Sequence, residues 1–302
     1  MTDSGYSATS SWAKPPELTV RDRINGILTL LKRHPNMAIG MGIVMVALVA
    51  AIFAPVLWTV DPSAPAPFER FAGPFSAEYW FGTDNIGRDV WSRAIYGSRI
   101  SLTVGVSVAA IAISIGVIIG VAAGYSQKFD MIVMRFMDGL MSIPSIILAI
   151  ALMALLGGSI QNVIIALSIT EAPIATRVVR SAVLSLRERT YIEASRSIGA
   201  STPRIMIRHI LPNIVAPLIV HSTYVASAAI LLEAYLSFLG AGPPEEIPSW
   251  GNMVAGAKDY LSRAPWMIFF PGLFLTFTVL GISLAGDGLR DILDPQIKRR
   301  LN

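Results

Sequence analysis

The sequence predicts an all-α, polytopic membrane protein with six transmembrane helices and a polar, helical loop between the fourth and the fifth. Three observations carry that expectation. Apolar residues make up 53% of the 302-residue chain and charged residues only 15%, with a mean hydropathy of +0.59, whereas a soluble domain carries nearer a quarter charged residues. The apolar residues gather into runs of roughly 20, the length a helix needs to cross the hydrocarbon of a bilayer. Lysine and arginine then fall unevenly between the runs, which orients them.

Residues 1–36 are polar, carry Pro15, Pro16 and Pro35, and read as a cytosolic lead with a short amphipathic helix around "VRDRINGILTLLKR". A cleaved signal peptide has a short apolar core close to a basic start. Here the first apolar run begins late and is long enough to span, so it reads as a retained helix. The membrane domain is expected over 37–290, with the polar loop at about 181–212, and a cytosolic tail over 291–302.

The spans follow in order. Runs 37–58 and 101–124 contain no charge, and run 131–156 carries Arg135 and Asp138 only near its start. Run 160–179 is the weakest: its uncharged core, "VIIALSIT", is short, and Glu171 and Pro173 fall inside it. It counts as a span because the ends of its neighbours otherwise land on the wrong sides. Run 213–240 is interrupted only by His221 and Glu233, and run 266–285 is the last. With the N-terminus inside, eighteen lysines and arginines lie on the inner segments and six on the outer ones, so both termini are expected in the cytosol.

Several residues inside the spans need a reason. Gly116, Gly120 and Gly124 recur at intervals of four. Small residues on one face let helix backbones approach closely in lipid, so these read first as packing within the chain and second as a subunit contact. Intramembrane ionisable groups are costly and mark candidate functional positions. Glu233 and Glu171 are the two candidates for a transport pathway. For Glu233, pairing with a neighbouring subunit is the open alternative; Glu171, beside Pro173, faces a cavity or a helix break. Arg135 and Asp138, three apart, are expected to pair with each other, and His221 reads as a packing histidine.

Composition also excludes. The chain has no cysteine, so disulfides and thiolate metal sites are impossible, and its three histidines, His34, His209 and His221, are too scattered to suggest a metal centre. The net charge of +4 does not suggest nucleic acid. A membrane enzyme needs a convergent nucleophile, base or metal cluster, and no such set stands out, so no catalytic residue and no metal ligand is nominated. No G-x-x-x-x-G-K-[ST] phosphate loop exists, since the chain has no Gly-Lys dipeptide at all. A stand-alone proton-coupled transporter using Glu171 or Glu233 as a relay is the alternative class; it usually carries inverted repeats, and none is evident.

The polar loop is unusually organised. "LSLRERTYIEASRSI" lacks Gly and Pro and reads as one helix, with Leu184, Arg187, Tyr191, Ala194 and Ile198 on one side and Arg189, Glu193 and Arg196 on another. Gly199 is the expected stop, because glycine tolerates the left-handed cap conformation. Thr202 is the expected N-cap and Pro203 the first residue of a second short helix, "PRIMIRHI". Pro212 then marks entry to the fifth span. Small residues at Ala194, Ser195 and Gly199 leave room for a partner, and Glu193 offers it a carboxylate.

The stretch "EASRSIGASTPRIMIRHILP" resembles the cytoplasmic loop of ATP-binding-cassette importer permeases. That pattern is Glu-Ala-Ala, three residues, Gly, nine residues, then Ile-x-Leu-Pro. Here it reads Glu193-Ala194-Ser195, Gly199 and His209-Ile210-Leu211-Pro212. Ser195 stands for the second Ala and His209 for the Ile; "RHILPN" resembles the dipeptide/oligopeptide/nickel branch. "FGTDNIGRDVWSRAIYGSRISL" from Phe81, "LSFLGAGPPEEIPSWGNM" from Leu236 and "GDGLRDILDP" at 286–295 are similar to the same branch, in the order of the second, C-type permease of a pair.

The resemblance implies a non-catalytic permease subunit in a bacterial cytoplasmic (inner) membrane. Its partners are a homologous permease completing a heterodimer, two ATP-binding-cassette ATPases that carry the ATP and Mg, an extracytoplasmic substrate-binding protein and the lipid bilayer; no cofactor belongs to this chain. It assigns ATPase coupling to Glu193, Ala194, Ser195, Gly199, Ala200, Leu211 and Pro212. The outer segment from Phe81 reads as an interfacial helix, or as a landing surface for the binding protein through Arg88 and Asp89. Glu245, Glu246 and Trp250 are further docking candidates. Peptides are the default substrate on the breadth of the branch, with nickel chelates and opines open.

Overall fold

The computed structural model describes residues 34–76 and 78–293. Residues 1–33, with the amphipathic helix expected there, and tail residues 294–302 lie outside them. The described residues form ten α-helices: α1 (Pro35–Phe53), α2 (Val90–Tyr125), α3 (Gln127–Met141), α4 (Ser145–Leu156), α5 (Ile160–Arg187), α6 (Thr190–Ser197), α7 (Thr202–Ile205), α8 (Leu211–Phe238), α9 (Trp250–Ala257) and α10 (Trp266–Leu293). No strand occurs among them; Thr83 and Asp89 form one isolated antiparallel bridge.

Five stretches are long and apolar enough to cross a membrane: Pro35–Val56, Val90–Tyr125, Ile160–Arg187, Thr202–Phe238 and Trp266–Leu293. The weakest run in the sequence therefore lies in a 28-residue helix, α5, with Glu171 and Pro173 buried on it. The expected third span is different. It is two helices, α3 and α4, bent by 89°. Pro144, extended at φ −52° and ψ 131°, precedes α4, and a proline disfavours helical geometry in the residue before it. α4 alone is about 18 Å long, short of the roughly 30 Å hydrocarbon core; with the bent pair counted as one span the sixth crossing is a broken one, α4 its arm inside the bundle and α3 the arm turned aside. The interfacial helix expected before the second span is the first part of α2 itself, which runs unbroken through 36 residues.

α2 and α5 form the centre of the bundle, and the three glycines explain why. A Cβ on Gly116 would lie 2.8 Å from Ala175 Cβ, one on Gly120 2.7 Å from Val179 Cβ, and one on Gly124 2.7 Å from Val183 Cβ. Such contacts leave no room for a methyl group, so these glycines set the approach of α2 to α5 within the chain. Around that seam, Val104, Val108 and Ala112 of α2 pack with Ala149 and Met153 of α4, Val163, Ala166 and Leu167 of α5, and Val225, Ala229 and Leu236 of α8. Small residues dominate because lipid tails are as apolar as leucine, so close backbone approach rather than water exclusion holds such helices together.

The pairing expected between Arg135 and Asp138 is not formed. Asp138 accepts from Arg177 of α5 at 2.7 Å, and Asp130 is paired with Arg180. α3 therefore turns its acidic side to the arginines of α5 and leaves Arg135 exposed.

Candidate functional site

The loop after α5 is a rigid elbow. The helix expected through 184–198 breaks: α5 ends at Arg187, Arg189 is extended (φ −79°, ψ 140°), and α6 starts at Thr190. Packing explains the break. Ile192 is nine residues beyond Val183, and at 3.6 residues per turn a straight helix would aim it roughly half a turn away. The break redirects it into a core with Val179, Val183, Ile205, Ile210, Ile214 and Leu218, in which Ile192, Ile205 and Ile210 are fully buried.

α6 ends as the sequence predicts at Gly199, which has φ +79°. The amide of Gly199 donates to the Arg196 carbonyl at 2.9 Å and that of Ala200 to the Ser195 carbonyl at 3.1 Å, the paired bonds of a Schellman stop. Ser201 rather than Thr202 then takes the N-cap position of α7. Pro212 does not divide a short helix from a span, because Thr202–Phe238 is continuous. Proline has no N–H and crowds the carbonyl four residues back. The chain accommodates it with a wide turn over Met206–Ile210, where the Leu211 amide reaches the Met206 carbonyl. That turn keeps Ile205 and Ile210, five apart, on one face.

Three contacts tie the elbow to the end of α2. Arg187 Nη1 donates to the Gly124 carbonyl at 3.1 Å, Thr202 Oγ1 lies 3.2 Å from the Tyr125 hydroxyl, and the Arg196 guanidinium lies 5.5 Å from the Tyr125 ring centre. On this footing Glu193, Ala194 and Gly199 are exposed, and Ile198 is 86% exposed. Ser195 is half-buried, its Oγ donating to the Tyr191 carbonyl at 2.8 Å, and Ala200 and Leu211 pack against the buried core while Pro212 is exposed. A groove of about 260 Å³ beside the tip is lined by Ser195, Ile198, Gly199, Ala200, Arg204, Arg208 and His209. The structure thus gathers Glu193, Ala194, Ser195, Gly199 and Ala200 on one knob. It adds Ile192, Ile205 and Ile210 beneath, and Arg204 and Arg208 beside. The 5-4-4 spacing of Ile205, Ile210, Ile214 and Leu218 was the available signal for the anchor.

The other end of α8 holds the second group of candidates. Glu233 is fully buried, and its Oε1 accepts from Ser237 Oγ at 2.9 Å and from Ser249 Oγ at 2.7 Å. Ser249 is also the N-cap of α9, accepting from the Asn252 amide at 3.0 Å. A Cβ on Gly251 would meet Ala234 Cα at 2.6 Å and both Glu233 oxygens at 3.1 Å. Glu233 is therefore enclosed at the joint of α8 with α9 in this conformation. Glu171 is buried on α5.

Of the docking candidates, Trp250 is a correction. It is fully buried against α2, its Nε1 donating to the Ala94 carbonyl at 2.9 Å, so no partner reaches it; an indole this large is a core residue when its N–H finds an acceptor inside. Asp89 caps α2 by accepting from the Ser92 amide at 2.9 Å, and Arg88 is paired with Asp84 at 2.5 Å. Arg93, buried, donates to the carbonyls of Pro62 at 3.0 Å and Glu245 at 3.1 Å, lacing two loops together. Glu245 and Glu246 are exposed.

Comparison with known proteins decides the family. The profile described as "Binding-protein-dependent transport system inner membrane component" matches residues 112–299. The chain is 52% identical over 280 residues to a probable peptide ABC transporter permease protein, y4tQ, of Sinorhizobium fredii, covering 93% of this chain and 96% of that protein. The chain belongs to the binding-protein-dependent permease family. Within that family it is also 44% identical over 269 residues to the dipeptide transport system permease protein DppC of Alkalihalophilus pseudofirmus, over 89% of this chain and 88% of the other. To the oligopeptide transport system permease protein OppC of Bacillus subtilis it is 38% identical over 262 residues, 86% of each. A chain of the solved MetNI methionine ABC transporter, in inward-facing conformations, shares the fold. Its TM-score is 0.56 at 22% identity, over 67% of this chain and 97% of that one. The region matched by the permease family profile begins in α2 and takes in the elbow and Glu233; the segment containing Arg88 and Asp89 precedes it.

Proposed function

We propose that the chain is the transmembrane subunit of an ATP-binding-cassette importer for peptides, forming half of the pathway beside a homologous permease. Two separate ATPases bind ATP and Mg, and a binding protein delivers substrate from outside. The elbow carries this reading. An exposed eight-residue helix stopped by Gly199 and seated on fully buried isoleucines transmits a push instead of absorbing it. When the ATPases close, they grip 193–199 and move it; α5 enters the elbow directly and α7–α8 leave it as one helix, so both tilt as rods. That is a rigid-body switch between two packed states. Peptide as cargo rests on the printed names of the relatives.

In this reading the elbow and both termini are cytosolic, as the arginine distribution supports, and the α9 end faces outward. Glu245 and Glu246 then offer the binding protein exposed carboxylates, while Arg88, Asp89 and Arg93 hold the landing surface in shape.

Uptake separates this from the proton-coupled alternative. In vesicles containing the chain, its companion permease, the ATPases and the binding protein, labelled dipeptide uptake is expected to require internal ATP and to survive collapse of the proton gradient. Uptake by this chain alone, abolished by an uncoupler and indifferent to ATP, would overturn the proposal.

A further inference from the structure

α3 is amphipathic the wrong way round for a helix that only packs on its own chain. Its acids are taken up by α5, Asp130 paired with Arg180 in a part-buried pair and Asp138 with Arg177 at the exposed edge. Its large apolar residues face outward: Ile132 is 74% exposed, Phe136 and Met131 each 65%. Lys128, Ile132 and Arg135 lie at i, i+4 and i+7, one stripe of the helix. Both cations are exposed, and neither forms an ion pair among the described residues. The outward face is therefore oily, aromatic and basic together.

Geometry supplies the second observation. α3 begins one residue after the end of α2, a spanning helix, and meets α4 at 89°. α4 is packed in the centre of the bundle through Ala149 and Met153, among the spanning helices α2, α5 and α8. Asp130 and Asp138, eight residues apart on α3, meet Arg180 and Arg177, only three apart near the end of α5, so α3 runs across that span. A helix perpendicular to it, next to the end of a span, lies along the bilayer surface. A surface helix of this kind seats its apolar side chains at the boundary of headgroups and acyl chains. Basic side chains there attract anionic lipid, and their aliphatic stems let the charge reach up to the phosphates.

We propose that α3 is a binding surface for anionic phospholipid, with Ile132 and Phe136 among the acyl chains and Lys128 and Arg135 on the headgroup phosphates. The inference goes beyond the coupling role and needs only that the chain spans a bilayer, so it stands or falls separately from the proposed transport function.

The chain has no cysteine, and a side chain on Gly139, on the same stripe of α3, would meet nothing within 4 Å. Gly139→Cys therefore takes a single fluorophore. The labelled full-length chain is placed in phosphatidylcholine nanodiscs doped with quencher-bearing phosphatidylglycerol or, in parallel, quencher-bearing phosphatidylcholine. Phosphatidylglycerol is expected to be enriched at the label by roughly fivefold per basic side chain, less at high salt, and the preference is expected to vanish in Lys128→Gln/Arg135→Gln. Equal quenching by the two lipids, quenching by neither, or a preference that persists in the double variant would overturn the proposal. So would efficient photocrosslinking from the single thiol of Gly139→Cys to another membrane protein in native membranes, which would assign the face to a protein interface.

Discussion

Gly199→Pro is expected to abolish coupled uptake while leaving the protein inserted and its spanning helices intact. Gly199 sits at φ +79°, and proline is locked near −65° and has no N–H. The substitution forbids the turn and removes the bond from the Gly199 amide to the Arg196 carbonyl. Yet a Cβ at this position would meet nothing within 4 Å, so no packed neighbour is disturbed and the damage stays at the corner. Gly199→Ala keeps the amide and suffers only the left-handed strain, about 1–2 kcal/mol, so it is expected to retain part of the uptake. Glu193→Lys tests the surface instead of the shape: Glu193 is exposed, so reversing its charge is expected to weaken coupling without loss of protein. The measurement is uptake against ATP hydrolysis in reconstituted vesicles. Hydrolysis that continues while uptake falls at least tenfold is the expected result; normal coupled uptake by Gly199→Pro would remove the elbow from the mechanism.

Glu233→Ala is expected to produce the largest loss of stability. The carboxyl joins α8 to the cap of α9 through Ser249, accepts also from Ser237 on its own helix, and fills the space under Gly251. Truncation strands two buried hydroxyls, at about 1–3 kcal/mol for each group left unsatisfied, and opens a cavity that adds to the cost. Glu233→Gln retains size and an acceptor, so it is expected to keep most of the stability and of the uptake. Thermal unfolding in detergent beside uptake separates joint from pathway. If Glu233→Gln unfolds normally yet loses uptake, the carboxylate meets substrate and the joint is secondary.

The composition, the long apolar runs and the four-residue glycine spacing were legible because each expresses a constraint local in sequence. So was the stop at Gly199, since one backbone conformation demands that residue. What escaped the sequence depends on contacts distant along the chain. The break at Glu188–Arg189 exists because Ile192 must turn towards Val183, and nothing local in "LRERT" announces it. Pro212 reads as a boundary because proline usually is one; the wide turn before it hides that the helix continues. Proximity pairs Asp138 with Arg135 in the sequence, whereas Arg177, 39 residues away from Asp138, is the actual partner. Trp250 lay among exposed acids in sequence, and only its bond to the Ala94 carbonyl, 156 residues distant, places it inside.

The most direct measurement uses the absence of cysteine. Single cysteines at Glu193, Ser195 and Ile198, in membranes holding the complete transporter, are treated with a thiol-reactive crosslinker from either side. Capture of an ATP-hydrolysing subunit is expected, only with the inner face open to the reagent and with a yield that changes when nucleotide is added. Labelling of the elbow from outside the cell, or its failure to capture any nucleotide-hydrolysing neighbour, would contradict the assignment.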